Sequence, residues 1–251
     1  MQARASTRES LPAGVKWFAA NCEENIARLR IGLTDGSYRP SRLTRVDITK
    51  PVGGTRVLDV PAVSDRAVER ALLDILTPHV DPFLSPAAFA YRPGLGVADA
   101  IQRVAEFREL GMSWILRSDI EDCFPSIRRE VAVERLMFVL PDQCLRSLLE
   151  MLLARRTATK RGLREVTGLA QGTPLSPMLC NVVLGLVDDA LLDRGFGATR
   201  FADDVVVACA SQQDATEALA VTNETLGGIG MSLASDKTEI VSFEEGFCFL
   251  G

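Results

Sequence analysis

The sequence predicts an α+β fold, because its candidate strands are separated by helical stretches that do not form regular βαβ units. Near the amino terminus, two alternating runs at 42–48 and 55–60 are typical of a hairpin. Further on, the apolar run 114–119 is typical of a buried strand, and apolar residues flank an acidic turn at Asp203 and Asp204. A chain of 251 residues that is 47% hydrophobic can bury a substantial core, as one large domain or as two closely packed subdomains.

The first half of the chain carries signals for helices on both sides of the hairpin. An amino-terminal helix is marked by Trp17, Ile26 and Leu29. Ser64 is suited to cap a helix that runs to Leu76, and Pro78 would end it. Apolar periodicity predicts further helices at 97–110, 131–140 and 143–154.

The second half of the chain is predicted to contain one long helix, followed by the acidic turn. Ser176 at the N-cap and Pro177 at the first helical position predict a helix that reaches Leu192. The acidic turn then joins two short strands. After it, the pattern predicts a helix near 215–226 and short strands at 239–243 and 247–250.

Asp203 and Asp204 lie at a tight turn between two short strands, where packing requires no charge. Asp119 ends the upstream buried strand and supplies a further carboxylate. Oxygen ligands from separate elements suit Mg²⁺, which takes one or two carboxylates together with substrate phosphates. Two such ions about 3.5–4 Å apart can activate an attacking hydroxyl and stabilise a leaving oxygen in phosphoryl transfer. The alternative is a solvated turn beside an unrelated strand, since turns favour Asp.

Five motifs in order resemble those of reverse transcriptases, from about residue 40 to the last residue. The first acidic motif of that family resembles 119–124, and the second resembles 201–204, with Phe where Tyr is more usual. Between them, 171–177 is similar to the segment that positions template and nucleotide. Lys237 matches a later lysine motif, and 247–251 is similar to the strand that grips the primer. The ordered set is specific, whereas any one motif alone would be weak.

The resemblance implies the right-hand polymerase fold, with fingers and palm. Residues 1–118 and 125–170 would form mainly the fingers, and residues 119–124 and 171–251 mainly the palm. Together they would make one reverse transcriptase domain. The helical thumb expected after the primer-gripping strand is absent from this chain, which therefore resembles a catalytic core cut or split from a longer protein.

The resemblance also implies a catalytic metal site. Asp119 and Asp203 would ligate both Mg²⁺ ions, for which Mn²⁺ could substitute, and the carbonyl of Ile120 would be an additional ligand. Asp204 would be a third catalytic carboxylate, which either binds metal or only tunes the site. Lys237 would protonate or stabilise the departing pyrophosphate, although a surface lysine fits the sequence equally well.

The resemblance implies substrate contacts as well. Phe124 would lie under the sugar and exclude a 2′-hydroxyl; the alternative is an ordinary core residue. Lys50 and Arg56, on opposite strands of the hairpin, would bind the triphosphate, since both cations suit phosphate; exposed hairpin charges are the alternative. Gln171 and Gly172 would let the backbone approach the template–nucleotide pair.

The implied activity is that of an RNA-directed DNA polymerase, which adds deoxynucleotides to a primer 3′-hydroxyl. Arg56 and the segment 90–96 are most similar to the group II intron lineage and its CRISPR-associated relatives. The sequence of 90–96 favours a CRISPR-associated enzyme by a narrow margin. Such an enzyme would act in the acquisition of spacers from RNA. The alternatives are a group II intron-encoded reverse transcriptase or maturase, an RNA-templated RNA polymerase, and a catalytically idle nucleic-acid-binding scaffold. Retention of all three aspartates disfavours the scaffold, and RNA polymerases normally show Gly-Asp-Asp.

The distribution of charge is relevant to the expected partners. A net charge of −5 would repel a phosphate backbone on average, but residues 1–56 hold ten Lys/Arg against five Asp/Glu, and residues 186–251 hold three against twelve. A basic amino-terminal region could follow template phosphates. The expected partners are an RNA template with a DNA or RNA primer, deoxynucleoside triphosphates, and either a CRISPR integrase or the missing thumb domain.

The sequence predicts a cytoplasmic protein without a membrane partner. The six cysteines form no Cys-x-x-Cys pair and are typical of reduced, mostly buried thiols of a cytosolic protein. The segment 1–8 has no apolar signal core, and no stretch reaches the roughly 18 apolar residues that span a bilayer.

Overall fold

The computed structural model describes residues 12–49 and 53–250. Its helices are α1 (Ala13–Ala20), α2 (Cys22–Thr34), α3 (Val63–Val80), α4 (Val97–Glu109), α5 (Cys123–Ser126), α6 (Arg129–Val139), α7 (Gln143–Leu153), α8 (Ser176–Leu192) and α9 (Gln212–Gly228). Its strands are β1 (Leu43–Thr49), β2 (Thr55–Val60), β3 (Trp114–Asp119), β4 (Thr157–Thr159), β5 (Gly162–Arg164), β6 (Gly197–Phe201), β7 (Asp204–Cys209) and β8 (Glu239–Ser242). The α+β class is confirmed.

The palm sheet is the four-stranded sheet β6-β7-β3-β8, in which all neighbouring strands are antiparallel. Its central strand β7 is apolar after Asp204, and β3 is apolar in its first half, as expected for strands that are covered on both faces. On one face, Leu116 and Val207 join the main core with α8 and α9. On the other face, Ile115 and Val206 pack with Val104 of α4. The palm sheet is therefore the rigid centre of the fold.

The fingers sheet is the four-stranded sheet β2-β1-β4-β5. The predicted hairpin is confirmed, because β1 and β2 are antiparallel, and β4 joins β1 in parallel. Burial is sparse: Leu43 packs with Val166 and Ala170 in a small cluster, while most other side chains of β1 and β5 are exposed. The fingers sheet is a thin layer beside the main core.

The strand β3 crosses the position at which the predicted fingers would meet the predicted palm. All of Trp114–Asp119 pairs within the palm sheet, with β7 on one side and β8 on the other. A boundary between residues 118 and 119 would divide this strand. The apolar run that predicted the strand thus belongs with the palm from its first residue.

Three details of the helices differ from the sequence prediction. Pro78 lies inside α3 instead of ending it, because Leu76 and Val80 are buried in the core and hold the last turn despite the lost backbone donor. Ser64 does not cap α3, which begins one residue earlier, at Val63. Ser176 is the first helical residue of α8, and its hydroxyl donates to the Ala170 carbonyl at 2.7 Å instead of capping the helix.

The carboxyl-terminal segment also differs, because 247–250 is not a strand in the structure. Phe243, Phe247 and Phe249 pack against the apolar cluster on the α4 face of the palm sheet. The Leu250 amide donates to the Asp204 side chain at 3.2 Å, rather than to a neighbouring strand. Burial of the aromatic side chains on a sheet face, in place of edge pairing, explains the difference.

The amino-terminal helix is two helices, α1 and α2, which meet at Asn21. All six cysteines are free; Cys123, Cys180 and Cys209 are buried, whereas the other three are exposed, so the prediction of mostly buried thiols holds for half of them. Within the described ranges, no helix is both long and apolar enough to cross a bilayer.

Candidate active site

The predicted carboxylates converge where β3 and β7 pair. Asp119 is the last residue of β3 and lies opposite Asp204, the first residue of β7. Asp203 occupies the turn between β6 and β7 and is exposed. The Ile120 amide donates to the Asp203 carbonyl at 2.9 Å, which fastens the first acidic segment to the second. The two segments, more than eighty residues apart in sequence, thus meet at one sheet end.

The turn itself has a backbone conformation that is unusual for its sequence. Ala202 has φ +62°, in the left-handed region that residues other than glycine rarely adopt. Such a conformation costs free energy and persists where the surroundings hold it. The position of Asp203 is therefore set by contacts outside the turn.

A cleft of about 690 Å³ opens between this sheet end and the fingers sheet. Seven of the predicted site residues line it: Arg56, Asp119, Ile120, Phe124, Gln171, Asp203 and Lys237. Asp204 and Gly172 are described but do not line the cleft, and Lys50 lies outside the described residues. The structure thus brings most of the predicted site into one place.

Lys237 contacts a predicted metal ligand directly. Its Nζ donates to Oδ2 of Asp119 and forms an ion pair with that carboxylate. This hydrogen bond raises the pKa of Lys237 above its ordinary value, so the side chain is protonated at neutral pH. A protonated lysine at the cleft wall can donate a proton or neutralise charge on a bound phosphate.

Asp204 differs from the other two aspartates. Its Oδ2 accepts a hydrogen bond from the Leu250 amide at 3.2 Å, and its buried Oδ1 finds no donor among the described residues. Burial raises the pKa of the Asp204 carboxyl. The side chain therefore lies in the sheet, behind the cleft, where it can tune the site.

The chemistry of the cleft fits Mg²⁺ that shares its ligands with a substrate. Asp119 and Asp203 present hard carboxylate oxygens to the same space. Across residues 12–49 and 53–250, no group of three or more His, Cys, Asp and Glu side chains could by itself hold a metal ion. Mg²⁺ commonly takes one or two carboxylates and completes its coordination with phosphates and water, so Asp119 and Asp203 could hold it only together with such further ligands.

Phe124 has both of the properties that the sequence left open. It lies in α5 and is 9% exposed, as part of the main core, and it also lines the cleft beside Asp119. Its carbonyl accepts a hydrogen bond from the Leu169 amide at 2.9 Å, which fixes the backbone of α5. A ring anchored in the core can present a rigid surface to a bound ligand.

Gln171 and Gly172 connect the palm to the fingers sheet. The Gln171 carbonyl accepts a hydrogen bond from the Asp59 amide of β2 at 2.7 Å. Gly172 has φ +111°, and a Cβ built there would lie 3.3 Å from Cβ of Leu58. Gly172 is therefore required for close approach to β2, while Gln171 is the one of the two that borders the cleft.

Two cationic residues of the cleft were not predicted. Arg45 of β1 and Arg164 of β5 line it together with Arg56 of β2. The alternation of polar and apolar residues in β1 was a signal for Arg45, but Arg164 lies in a three-residue strand that has no recognisable period. The fingers sheet thus supplies three guanidinium groups to a cleft whose opposite wall carries the aspartates.

The chain is similar in sequence to known proteins. Residues 48–251 match the family model described as reverse transcriptase (RNA-dependent DNA polymerase). The chain is 30% identical to the putative COX1/OXI3 intron 1 protein of Saccharomyces cerevisiae over 65% of this chain and 19% of that protein. It is 27% identical to the group II intron-encoded protein LtrA of Lactococcus lactis subsp. cremoris over 75% of this chain and 31% of that protein.

A solved structure extends the comparison to the fold. Telomerase from Candida albicans superposes with a TM-score of 0.70 over 85% of this chain and 44% of that chain, at 13% identity. At that identity the likeness concerns the fold alone, and it confirms the predicted right-hand fold of fingers and palm. This chain spans less than a third of either intron protein and less than half of the telomerase chain. The family match and the shared fold show that the chain belongs to the reverse transcriptase (RNA-dependent DNA polymerase) family.

Proposed function

We propose that this chain catalyses RNA-directed DNA synthesis in the cleft between the two sheets. The observation that carries the proposal is the cleft itself, which places Asp119, Asp203 and Lys237 opposite arginines of the fingers sheet. A nucleoside triphosphate needs this pairing of a carboxylate-bound metal at the reacting phosphate with cations along the phosphate chain. The primer 3′-hydroxyl attacks the α-phosphate, a new O–P bond forms, and pyrophosphate leaves with the electrons of the broken P–O bond.

The carboxylates have a defined task in this reaction. Asp119 and Asp203 would hold Mg²⁺ or Mn²⁺, which when bound supplies activation of the hydroxyl and stabilisation of the leaving oxygen. Ile120 lines the cleft and is 3% exposed, and its carbonyl would be a further oxygen ligand. Asp204 would influence the electrostatics of the site from within the sheet.

The cationic residues act on the phosphates. Lys237, whose ammonium group contacts Asp119, is suited to donate a proton to departing pyrophosphate or to stabilise its charge. Arg56 would bind the triphosphate through its planar pair of donors, as Lys50 would if it completes the same hairpin. Phe124 would exclude the 2′-hydroxyl, and Gln171 would border the template–nucleotide pair.

The biological setting is a separate part of the proposal. The intron origin named for two relatives favours a group II intron-type setting, whereas the segment 90–96 alone favours a CRISPR setting. The corresponding partners would be an intron RNA, or a CRISPR integrase. Sequencing the genomic neighbourhood separates them: flanking intron RNA supports the first, and an adjacent CRISPR array with an integrase supports the second.

The test of the activity is extension of a DNA primer on an RNA template by the purified chain with Mg²⁺. Deoxynucleotides should be added by the parent, and Asp119→Asn and Asp203→Asn should each lower the rate about 1,000-fold, since metal catalysis supplies several kcal/mol. Asp236→Asn removes the same charge from the cleft wall without removing a proposed ligand, so it should keep most of the rate.

The competing functions predict different results in the same assay. An RNA polymerase would prefer ribonucleotides, and an idle scaffold would bind the duplex without extending the primer. Binding of Mn²⁺ in the presence of a deoxynucleotide, followed by electron paramagnetic resonance, should weaken in Asp203→Asn. Parental extension rates in both Asn variants, shown by circular dichroism to be folded, would refute the metal assignment.

A further inference from the structure

Arg200 is the largest fully buried side chain in the described chain, with 1% exposure, although it lies only three residues before Asp203. Its Nε donates to Oδ1 of Asp188 at 2.8 Å, and its Nη2 donates to Oδ2 at 2.7 Å. Asp188, in α8, is 2% exposed. This is a two-pronged ion pair that lies wholly inside the core.

The remaining nitrogen of the guanidinium reaches the turn that carries Asp203. Nη1 of Arg200 donates to the Ala202 carbonyl at 3.0 Å and to Oδ1 of Asn181 at 2.9 Å. Nδ2 of Asn181 in turn donates to the Ala90 carbonyl at 2.8 Å. We call Arg200, Asp188 and Asn181 the Arg200 network. It links α8 to the peptide that directly precedes Asp203.

The backbone of Arg200 is held as firmly as its side chain. Its amide donates to the Ala87 carbonyl at 2.7 Å, and its carbonyl accepts from the Phe89 amide at 2.9 Å. The strand end is thus fixed between the loop 87–90 and β7. Fixed anchors on both sides are what a left-handed Ala202 requires, because that conformation persists only where the surroundings determine it.

Packing alone does not explain the ion pair. A buried ion pair loses hydration that its mutual attraction only partly restores, and well-packed apolar residues often replace such a pair without loss of stability. An apolar side chain at position 200, however, could not donate to the Ala202 carbonyl. The charged Arg200 side chain therefore does what an apolar side chain could not do: it holds the turn that carries Asp203 in one orientation.

We propose that Arg200 is a positioning residue, which orients the Ala202–Asp203 peptide so that the Asp203 carboxylate faces the cleft in the geometry that metal binding needs. Arg200 is buried and does not line the cleft, so it acts only through the turn. The consequence for catalysis rests on the proposed polymerase function. The orientation of the turn itself can be measured without that function.

The experiment separates positioning from stability by removing the ion pair as a unit. Arg200→Met with Asp188→Leu leaves no unpaired buried charge, so the variant should fold, with a melting temperature lowered only by the lost donation to the Ala202 carbonyl and to Asn181. The matched control is the buried pair Arg155–Glu69, replaced by Arg155→Met with Glu69→Leu; this pair lies outside the cleft lining. Each protein is tested for melting, Mn²⁺ affinity, hydrogen exchange of the peptide 201–206, and primer extension.

Positioning predicts a specific combination of results for the Arg200 double variant. Mn²⁺ affinity should fall about 10- to 100-fold, as on loss of a residue that orients a metal ligand, and exchange at 201–206 should rise. The maximal extension rate should fall about 100-fold with little change in the KM for deoxynucleotide. The control double variant should keep the parental Mn²⁺ affinity and the parental exchange at 201–206.

The results that overturn the proposal are equally defined. A folded Arg200 double variant that has parental Mn²⁺ affinity and parental exchange at 201–206 refutes it. If the double variant does not fold, Arg200→Lys decides, since it keeps a charge for Asp188 but loses the fork that also reaches Ala202; unchanged affinity and exchange in that variant refute positioning. A parent that extends no primer refutes the polymerase function, while Mn²⁺ affinity and exchange still decide the role of Arg200.

Discussion

The palm sheet and the fingers sheet have four strands each, but they are stabilised in opposite ways. The palm sheet is covered on both faces by helices and aromatic side chains. The fingers sheet exposes most of β1 and β5 and has a single small cluster of buried residues beneath it. The carboxylates of the cleft therefore lie at the end of a sheet that is packed in a large apolar core. The arginines of the cleft lie on a sheet with few buried side chains.

The difference corresponds to the tasks of the two sets of charges. Metal ligands must stay within a narrow geometry, and a densely packed sheet can impose it. In the proposed function, Arg56 needs only to reach phosphate oxygens, and its exposure avoids the cost of burying a charge without a ligand; Arg45 is half-buried and pairs with Asp47. Rigidity and burial are concentrated where geometry matters most for the proposed chemistry.

The largest expected effect tests the burial contrast with one substitution made in each sheet. Val207 of β7 is fully buried, whereas Val46 of β1 is 41% exposed. Val207→Ala should lower the free energy of unfolding by about 3 kcal/mol, through lost burial and a residual cavity. Val46→Ala should change it by less than about 0.5 kcal/mol. Urea denaturation followed by circular dichroism measures both, and equal losses would show that the fingers sheet is as tightly packed as the palm.

The same contrast explains which parts of the fold were predictable. The buried palm strands and the hairpin are visible in the local pattern of apolar and polar residues. For this reason β3, β7, β1 and β2 were predicted at the correct positions. Pro78 and the segment 247–250 were misjudged, because long-range packing overrode the local signals: core contacts continue α3 through Pro78, and a sheet face captures the aromatic residues. Tertiary burial is not visible in a local window.

The site shows the same limit. Asp119, Asp203 and Lys237 could be proposed because they occur in motifs, but Arg200 was missed because its partner lies in another element. A signal was present: Asp188 and Asp189 are acidic residues in an otherwise largely apolar helix, and Arg200 is a cation in a strand whose other residues are small or apolar. Opposite charges in two elements that are both predicted to be buried indicate an ion pair. The hydrogen bond to the Ala202 carbonyl, however, can be seen only in the structure.

The second prediction concerns the exposed cationic side chains of the fingers sheet. Arg56→Ala should raise the KM for deoxynucleotide about 30-fold, which corresponds to about 2 kcal/mol for one lost hydrogen-bonded charge, and it should leave the melting temperature nearly unchanged. Steady-state extension at varied nucleotide concentration measures it. Arg28→Ala, an exposed arginine of α2 outside the cleft, is the control for net charge. An equal rise in KM for both variants would mean that Arg56 acts through the general field alone.

The third effect tests the link between the two sheets. Gly172→Ala places a Cβ 3.3 Å from Cβ of Leu58 at φ +111°, so it should cost about 1.5 kcal/mol of stability. The comparison is Gly185→Ala in α8, where a Cβ meets nothing within 4 Å and helix propensity favours alanine by about 1 kcal/mol. Thermal melting should therefore move in opposite directions. A shift of the same sign in both variants would contradict the close approach of Gly172 to β2.

The smallest effect concerns Phe124, which belongs to the main core and also lines the cleft. If its ring excludes a 2′-hydroxyl by contact, Phe124→Val should raise ribonucleotide incorporation relative to deoxynucleotide about 10-fold, a change of about 1.4 kcal/mol. Competition between the two nucleotides at a single template position measures the ratio.

Loss of core packing could by itself loosen the cleft, so the control must remove a similar ring elsewhere. Phe107 packs against the apolar cluster on the α4 face of the palm sheet and does not line the cleft. Phe107→Val should therefore also reduce stability and leave the nucleotide ratio at its parental value. If both variants shift the ratio, the discrimination reflects the rigidity of the palm as a whole; if only Phe124→Val does so, one core residue of the palm also serves as a wall of the nucleotide site.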